Sequence, residues 1–295
     1  KAVDTNNNGL DFQHQENEFD DYAREILLPH RMSTLGPALA SADVNGDGRE
    51  DLFIGGAAGQ SGILYLQTQT GAFTKSPSSL GADSEDTNAL FFDADGDGDN
   101  DLYVVSGGNE FDEGSPKLQD RLYVNDGKGT FKPAPGALPK NRISTGAVAA
   151  GDLDGDGDLD LFVGGRQKPG FYGLTPSSNI LRNDNGRFTD VTETVASEIA
   201  TAGMVTDAIW EDVDEDGDAD LLLAGEWMSL QLWINDNGKL TNETASAGLA
   251  NTQGWWNRLA KADLDGDGDM DFIAGNLGWN IKYKASEEQP FTVYL

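Results

Sequence analysis

Short apolar runs alternate with clusters of Asp, Asn and Gly along the whole of this chain. Five clusters share one nine-residue pattern, beginning at Asp43, Asp93, Asp152, Asp212 and Asp263. Each is preceded by a small-residue apolar segment: Ala38–Ala42, Ala89–Phe92, Ala147–Ala150, Ala208–Trp210 and Leu259–Ala262. Each is followed by another: Leu52–Ile54, Leu102–Val105, Leu161–Val163, Leu221–Ala224 and Phe272–Ala274. Brief apolar runs bounded by Gly and Asp predict buried strands, so every acidic cluster predicts the turn of a hairpin. Alanine ahead of the turn suits an inner strand, where neighbouring sheets crowd together. A second hairpin follows in four copies: Leu64–Phe73, Leu122–Phe131, Ile180–Phe188 and Leu232–Leu240, each an apolar pair, a polar turn and a further strand. Two hairpins per repeat make a four-stranded unit.

The acidic clusters recur at intervals of 50, 59, 60 and 51 residues. A period of that size points to a propeller or a solenoid. The expected fold is therefore all-β, a β-propeller of four-stranded blades, six or seven in number and not all necessarily complete in this chain. Residues 38–295 hold the repeats. Residues 1–37 form an irregular N-terminal segment that is a candidate ring-closing strand; its Asp4–Gly9 opens like a further acidic turn but has Phe12 at the ninth position. The Gly-, Pro- and Ser-bearing stretches 107–119 and 167–178 predict longer surface loops. Both ends read as cut: the chain starts on Lys1 without a leader and stops on the apolar Phe291–Leu295, which implies a mature or trimmed product.

The clusters have the composition of a cation cage. Oxygen-bearing side chains stand at positions 1, 3, 5 and 9, and position 7 offers a backbone carbonyl. The candidate ligand sets are Asp43, Asn45, Asp47, Arg49 and Asp51; Asp93, Asp95, Asp97, Asp99 and Asp101; Asp152, Asp154, Asp156, Asp158 and Asp160; Asp212, Asp214, Asp216, Asp218 and Asp220; and Asp263, Asp265, Asp267, Asp269 and Asp271. Hard oxygen donors suit Ca2+, which takes six to eight of them, better than Mg2+, which insists on octahedral geometry and keeps its waters. About five calcium ions are expected. An EF-hand would open with the same residues but needs Glu at position 12 and flanking helices. Position 12 here is Ile54, Val104, Val163, Leu223 or Ala274, between strands, so that motif is excluded.

Charge accounting supports a cage. The chain carries a formal charge of −31, and the five clusters hold 25 of its 51 acidic residues against one base. Like charges packed so closely repel unless a cation lies among them. No basic patch is visible, which argues against a nucleic-acid partner. No apolar run is long enough for a helical membrane span, and with no cysteine there are no disulfides.

The pattern Asp-x-Asp-x-Asp-Gly-x-x-Asp, followed by an apolar strand and the Gly-Gly of Phe53–Gly59 and Phe162–Gly165, resembles the FG-GAP/VCBS repeats of integrin α propellers and of many exported bacterial proteins. Gly9–His14, Leu27–Pro29 and Gly254–Asn257 are similar to the bacterial members. The resemblance implies a seven-bladed propeller with calcium loops on one rim, in a secreted, periplasmic or cell-surface protein. The expected function is recognition or adhesion, with a glycan or an extracellular protein as partner and calcium in a structural role. Two alternatives stay open: a polysaccharide lyase or hydrolase on the propeller, or a scaffold domain of a larger exported protein. Oligomeric state is not legible.

Other chemistry is sparse. Of the six tryptophans, Trp210 and Trp233 sit on expected strands and read as core, whereas Trp255, Trp256 and Arg258 form a candidate ligand platform. Adjacent strand residues face opposite sides, so at most one of the tryptophan pair is expected to be buried. His14 and His30 lie in the irregular segment without a partner motif, and no Gly-x-Ser-x-Gly, P-loop or His-Glu-x-x-His pattern occurs, so no catalytic residue is named.

Overall fold

A computed structural model describes residues 8–278, 286 and 288–290. Asp4–Asn7, Trp279 and the terminal Phe291–Leu295 lie outside the described residues.

Four antiparallel sheets of four strands follow one another along the chain. The first blade contains β1 (Leu39–Ala42), β2 (Asp51–Ile54), β3 (Ile63–Gln67) and β4 (Phe73–Lys75). The second contains β5 (Glu85–Phe92), β6 (Asp101–Gly107), β7 (Arg121–Val124) and β8 (Lys132–Pro133). The third contains β9 (Ser144–Gly151), β10 (Asp160–Gln167), β11 (Asn179–Arg182) and β12 (Thr189–Asp190). The fourth contains β13 (Met204–Glu211), β14 (Asp220–Met228), β15 (Gln231–Asn235) and β16 (Leu240–Asn242). A fifth hairpin, β17 (Gly254–Ala262) with β18 (Asp271–Asn276), joins the fourth sheet where β14 pairs with β17. This is the blade pattern of a β-propeller, with no pairing between the first and last sheets among the described residues.

Each acidic cluster joins the first and second strands of its blade, and each Asn/Asp/Gly turn joins the third and fourth. The first strands β1, β5, β9, β13 and β17 neighbour one another in order, so the alanine-rich segments do form the inner strands. Their small side chains have a steric reason. A Cβ on Gly151 would come within 2.5 Å of the Trp210 ring in the next blade, whose indole nitrogen donates to the Ala149 carbonyl at 3.2 Å.

The hydrophobic core lies between blades rather than within one. Phe53 and Leu64 of the first blade pack with Leu102, Val104 and Tyr123 of the second. Tyr103 and Val105 of the second pack with Leu161, Val163 and Phe188 of the third. Phe162 and Ile180 of the third pack with Trp210, Leu221 and Trp233 of the fourth. A lone four-stranded sheet has two faces to cover, and stacking covers both.

Residues 8–38 cross this array as a strap, with one helical turn, α1 (Asp21–Arg24), and no strand. Polar residues dominate the segment, so its backbone is held by side chains rather than by a ladder. The Asn8 carbonyl accepts from Phe73 N in the first blade, and Asp11 accepts from Tyr65 Oη at 2.7 Å. Arg24 donates to the Asn109 carbonyl in the second blade at 2.9 Å. Glu25 accepts from Tyr172 N in the third at 2.6 Å, and His30 meets Glu226 in the fourth at 3.0 Å. Buried Asp21 staples the strap to itself by accepting from Met32 N, Ser33 N and the Ser33 hydroxyl. The long loops 108–119 and 168–178 provide the anchors on the second and third blades.

Candidate functional site

The same bonds recur in the acidic clusters, which are numbered here by position one to nine. The position 1 aspartate folds the loop over itself: Asp93 accepts from Gly96 N and Gly98 N at 2.8 and 2.9 Å. Asp152 does so with Gly155 N and Gly157 N at 2.8 and 3.1 Å. The position 9 aspartate ties the loop to its own blade. One oxygen accepts from the position 2 amide, as in Asp101 with Ala94 N at 3.0 Å and Asp160 with Leu153 N at 2.8 Å. The other reaches the end of the third strand, as in Asp101 with Asn125 N at 2.8 Å and Asp160 with Asn183 N at 2.7 Å.

Carboxylates thereby converge. Asp93, Asp95 and Asp101 offer ligand atoms within 4.8 Å of one another, as do Asp152, Asp154 and Asp156; Asp212, Asp214 and Asp220; and Asp263, Asp265 and Asp271. These four groups could hold a metal ion. The first loop has Asn45 at position 3, and the Arg49 guanidinium pairs with Asp47. At position 7 one side-chain oxygen of Asp158 and of Asp218 accepts from Asn185 N at 2.9 Å and Asn237 N at 2.7 Å in the second hairpin.

The residues fit a cation. In the second loop, Asp95 Oδ1 and Asp99 Oδ1 are buried without a hydrogen-bond partner. An ionised carboxylate is acceptor-only, so an inward oxygen lacking a donor is suited to a metal. Burial, with Asp95 and Asp99 adding, pushes Asp101 up to about 7 against the backbone amides that hold it down. Burial likewise pushes Asp160 up to about 6, with Asp154 and Asp156 adding. A divalent ion would offset both the burial and the repulsion.

The asparagine opening each second-hairpin turn has a role the sequence reading missed. The Asn125 amide donates to the Val44 carbonyl at 2.8 Å, Asn183 to the Ala94 carbonyl at 2.8 Å, and Asn235 to the Leu153 carbonyl at 2.9 Å. Each carbonyl belongs to position 2 of the preceding blade's acidic loop. The first blade has Gln67 at the equivalent place. Read alone, an Asn/Asp/Gly run signals only a turn; the recurrence of asparagine at the end of the third strand in the second, third and fourth blades was the available clue.

A second feature lies at the inner-strand ends remote from the acidic loops. A depression of about 230 Å³ is lined by Leu35 of the strap, Thr87, Gly146, Thr206, Asn257 and Arg258 of the inner strands, and Arg166. The Thr87 and Thr206 hydroxyls donate to the next inner strand, at Thr145 O and Trp256 O, and keep acceptor capacity. Arg258 is exposed, 3.8 Å from Asp207. Neither Trp255 nor Trp256 lines the depression. Trp255 packs on His30 and Trp227, with ring centroids 5.9 and 5.3 Å apart, and the Trp256 indole donates to the Thr252 carbonyl at 2.8 Å. Both tryptophans are half-buried, whereas Trp210 and Trp233 are core.

These sheets and loops define a β-propeller built from acidic-turn repeats. Its family follows from comparison: a family model described as FG-GAP-like repeat matches residues 43–104, 93–163 and 212–274, more than half of the chain. The chain belongs to the FG-GAP-like repeat family. No curated protein sequence matches it. Among solved structures, an Agrocybe aegerita lectin recognising non-reducing terminal N-acetylglucosamine is similar over 82% of this chain and 60% of its own, at 17% identity and a TM-score of 0.50. An exotype rhamnogalacturonan lyase, YesX, matches over 78% of this chain and 47% of its own, at 17% identity and a TM-score of 0.41. The V. cholerae biofilm matrix protein Bap1 matches over 81% and 34%, at 16% identity and a TM-score of 0.37. The chain thus spans less than two thirds of each. The lectin likeness supports the fold.

Proposed function

We propose that this chain is a calcium-stabilised extracellular, periplasmic or cell-surface recognition module whose ligand is a glycan. The carrying observation is the separation of two kinds of surface. Converging carboxylates occupy one end of the inner strands, and a depression lined by hydroxyl, amide and guanidinium groups occupies the other. Hydroxyl, amide and guanidinium groups suit the alternating donors and acceptors of a sugar. Asn257 and the exposed Arg258 are its ligand-facing residues in this reading. Trp255 braces the strap.

Calcium belongs in the loops on the grounds of donor type and fit. A site with Kd near 10⁻⁵ M in millimolar calcium contributes about 2.7 kcal/mol by mass action. Several such sites rival the roughly 5–15 kcal/mol net stability of a domain. The module is therefore suited to compartments where calcium is near millimolar. Adding a chelator is expected to lower the thermal midpoint sharply; an unchanged midpoint in a differential scan would refute the structural-calcium reading. For the ligand, the test is a glycan array on the calcium-loaded protein. Arg258→Ala should weaken any bound glycan by about tenfold or more, the value of one charge-assisted hydrogen bond. A folded protein that captures no glycan would defeat the proposal.

A further inference from the structure

Beneath the strap lies a second cluster of different chemistry, remote from the acidic loops. His14, Glu16 and Glu85 bring ligand atoms within 4.8 Å of one another. Histidine and Glu16 come from the strap, whereas Glu85 opens the inner strand of the second blade. The inner strand of the third blade begins with Ser144 and that of the fourth with Met204, so the carboxylate is not part of the repeat.

We propose that His14, Glu16 and Glu85 bind one divalent first-row metal ion, of the zinc or cobalt kind, that pins the strap to the second blade. Glu85 is fully buried. One of its oxygens accepts from Ala58 N at 2.8 Å, and the other, Oε1, has no partner. His14 gives one ring nitrogen to Glu16 at 2.9 Å, while its Nδ1 is buried and unpartnered. Beside them Glu110 accepts from Asn109 N through one oxygen, and its Oε1 is also buried without a partner. Three unsatisfied buried atoms in one place are destabilising unless something binds them. Burial, the largest cause, together with Glu110 and Glu16 pushes Glu85 up to about 8, although Ala58 N holds it down. Nearby Asp86 is already committed to Arg121. An imidazole among carboxylates selects a borderline metal, whereas the all-oxygen loops select calcium.

The test is a Co2+ titration of the full chain held in millimolar calcium, which keeps the loops filled. Visible absorption reports entry of cobalt into a nitrogen-containing site, and zinc competition reports the preference. Wild type should take up one cobalt beyond the loops. His14→Gln and Glu16→Gln, both at partly exposed positions, should weaken it by at least about tenfold, as loss of a coordinating group does, with unchanged circular dichroism. Zinc should raise the melting midpoint of wild type and not of His14→Gln. Folded wild type that binds no cobalt, or His14→Gln that binds it equally well, overturns the proposal. So does a Glu85→Gln variant more stable than wild type with no cobalt uptake by either, the result expected if Glu85 and Glu110 merely share a proton.

Discussion

Glu215 stands at position 4 of the fourth loop with φ 62°, where the other loops have Gly46, Gly96, Gly155 and Gly266 at φ 71–80°. The left-handed region costs a residue with a Cβ about 1 kcal/mol or more. Glu215→Gly should therefore raise stability by about 1 kcal/mol in a urea titration with calcium present, and a loss would show that Glu215 has a partner role. Buried Glu226 is the opposite case, a side chain that much depends on. It accepts from Tyr172 Oη at 2.8 Å and pairs with Arg166 and His30. Glu226→Gln leaves Arg166 buried and uncompensated, at a cost of about 3–5 kcal/mol. Burial works against ionisation of both His30 and Glu226, but their mutual bond wins: His30 is raised from 6.5, and Glu226, with Arg166 helping, is lowered from 4.5. A raised histidine stabilises fully below 6.5 and loses that contribution as pH rises through its folded value. A lowered carboxylate stabilises above 4.5 and loses it as pH falls. The pair is thus strongest between about 4.5 and 6.5. Melting midpoints should decline above that window in wild type and decline less in His30→Gln; parallel profiles would contradict the assignment.

At the scale of the element, the acidic loops and their hairpins are legible because they are local. Spacing of two between oxygens, glycine at the turn and apolar flanks are all properties of a dozen consecutive residues. The missing pieces are long-range. The Asn183 amide reaches 89 positions back to Ala94, and nothing in the neighbouring residues announces that bond. The strap was opaque for the same reason: its contacts with Asn109, Tyr172 and Glu226 join chemically unremarkable residues at distances set only by the assembled array. The His14 cluster combines both difficulties. Asn183→Ala strands a buried carbonyl and should cost about 1–3 kcal/mol. Asn185→Ala, whose side chain bonds only Asp184 at 3.4 Å and whose φ is 49°, tests backbone strain instead. If removing the Asn183 amide leaves the urea midpoint in place, the bond between blades is not stabilising.

At the scale of the whole molecule, sheets that share their cores with neighbours behave as a one-dimensional stack whose stability is a sum of units and interfaces. The strap departs from that scheme, because one stretch of chain contacts four blades. Its anchors are arranged in series: Asp11 on the first blade, Arg24 on the second, Glu25 on the third and His30 on the fourth. That order has a mechanical meaning. A pull on the chain from its N-terminal side loads the first-blade contacts alone, and each later anchor feels force only after the one before it has let go. Tension would peel the strap as a zipper, with small successive yields, and would reach the buried Glu226 bond last.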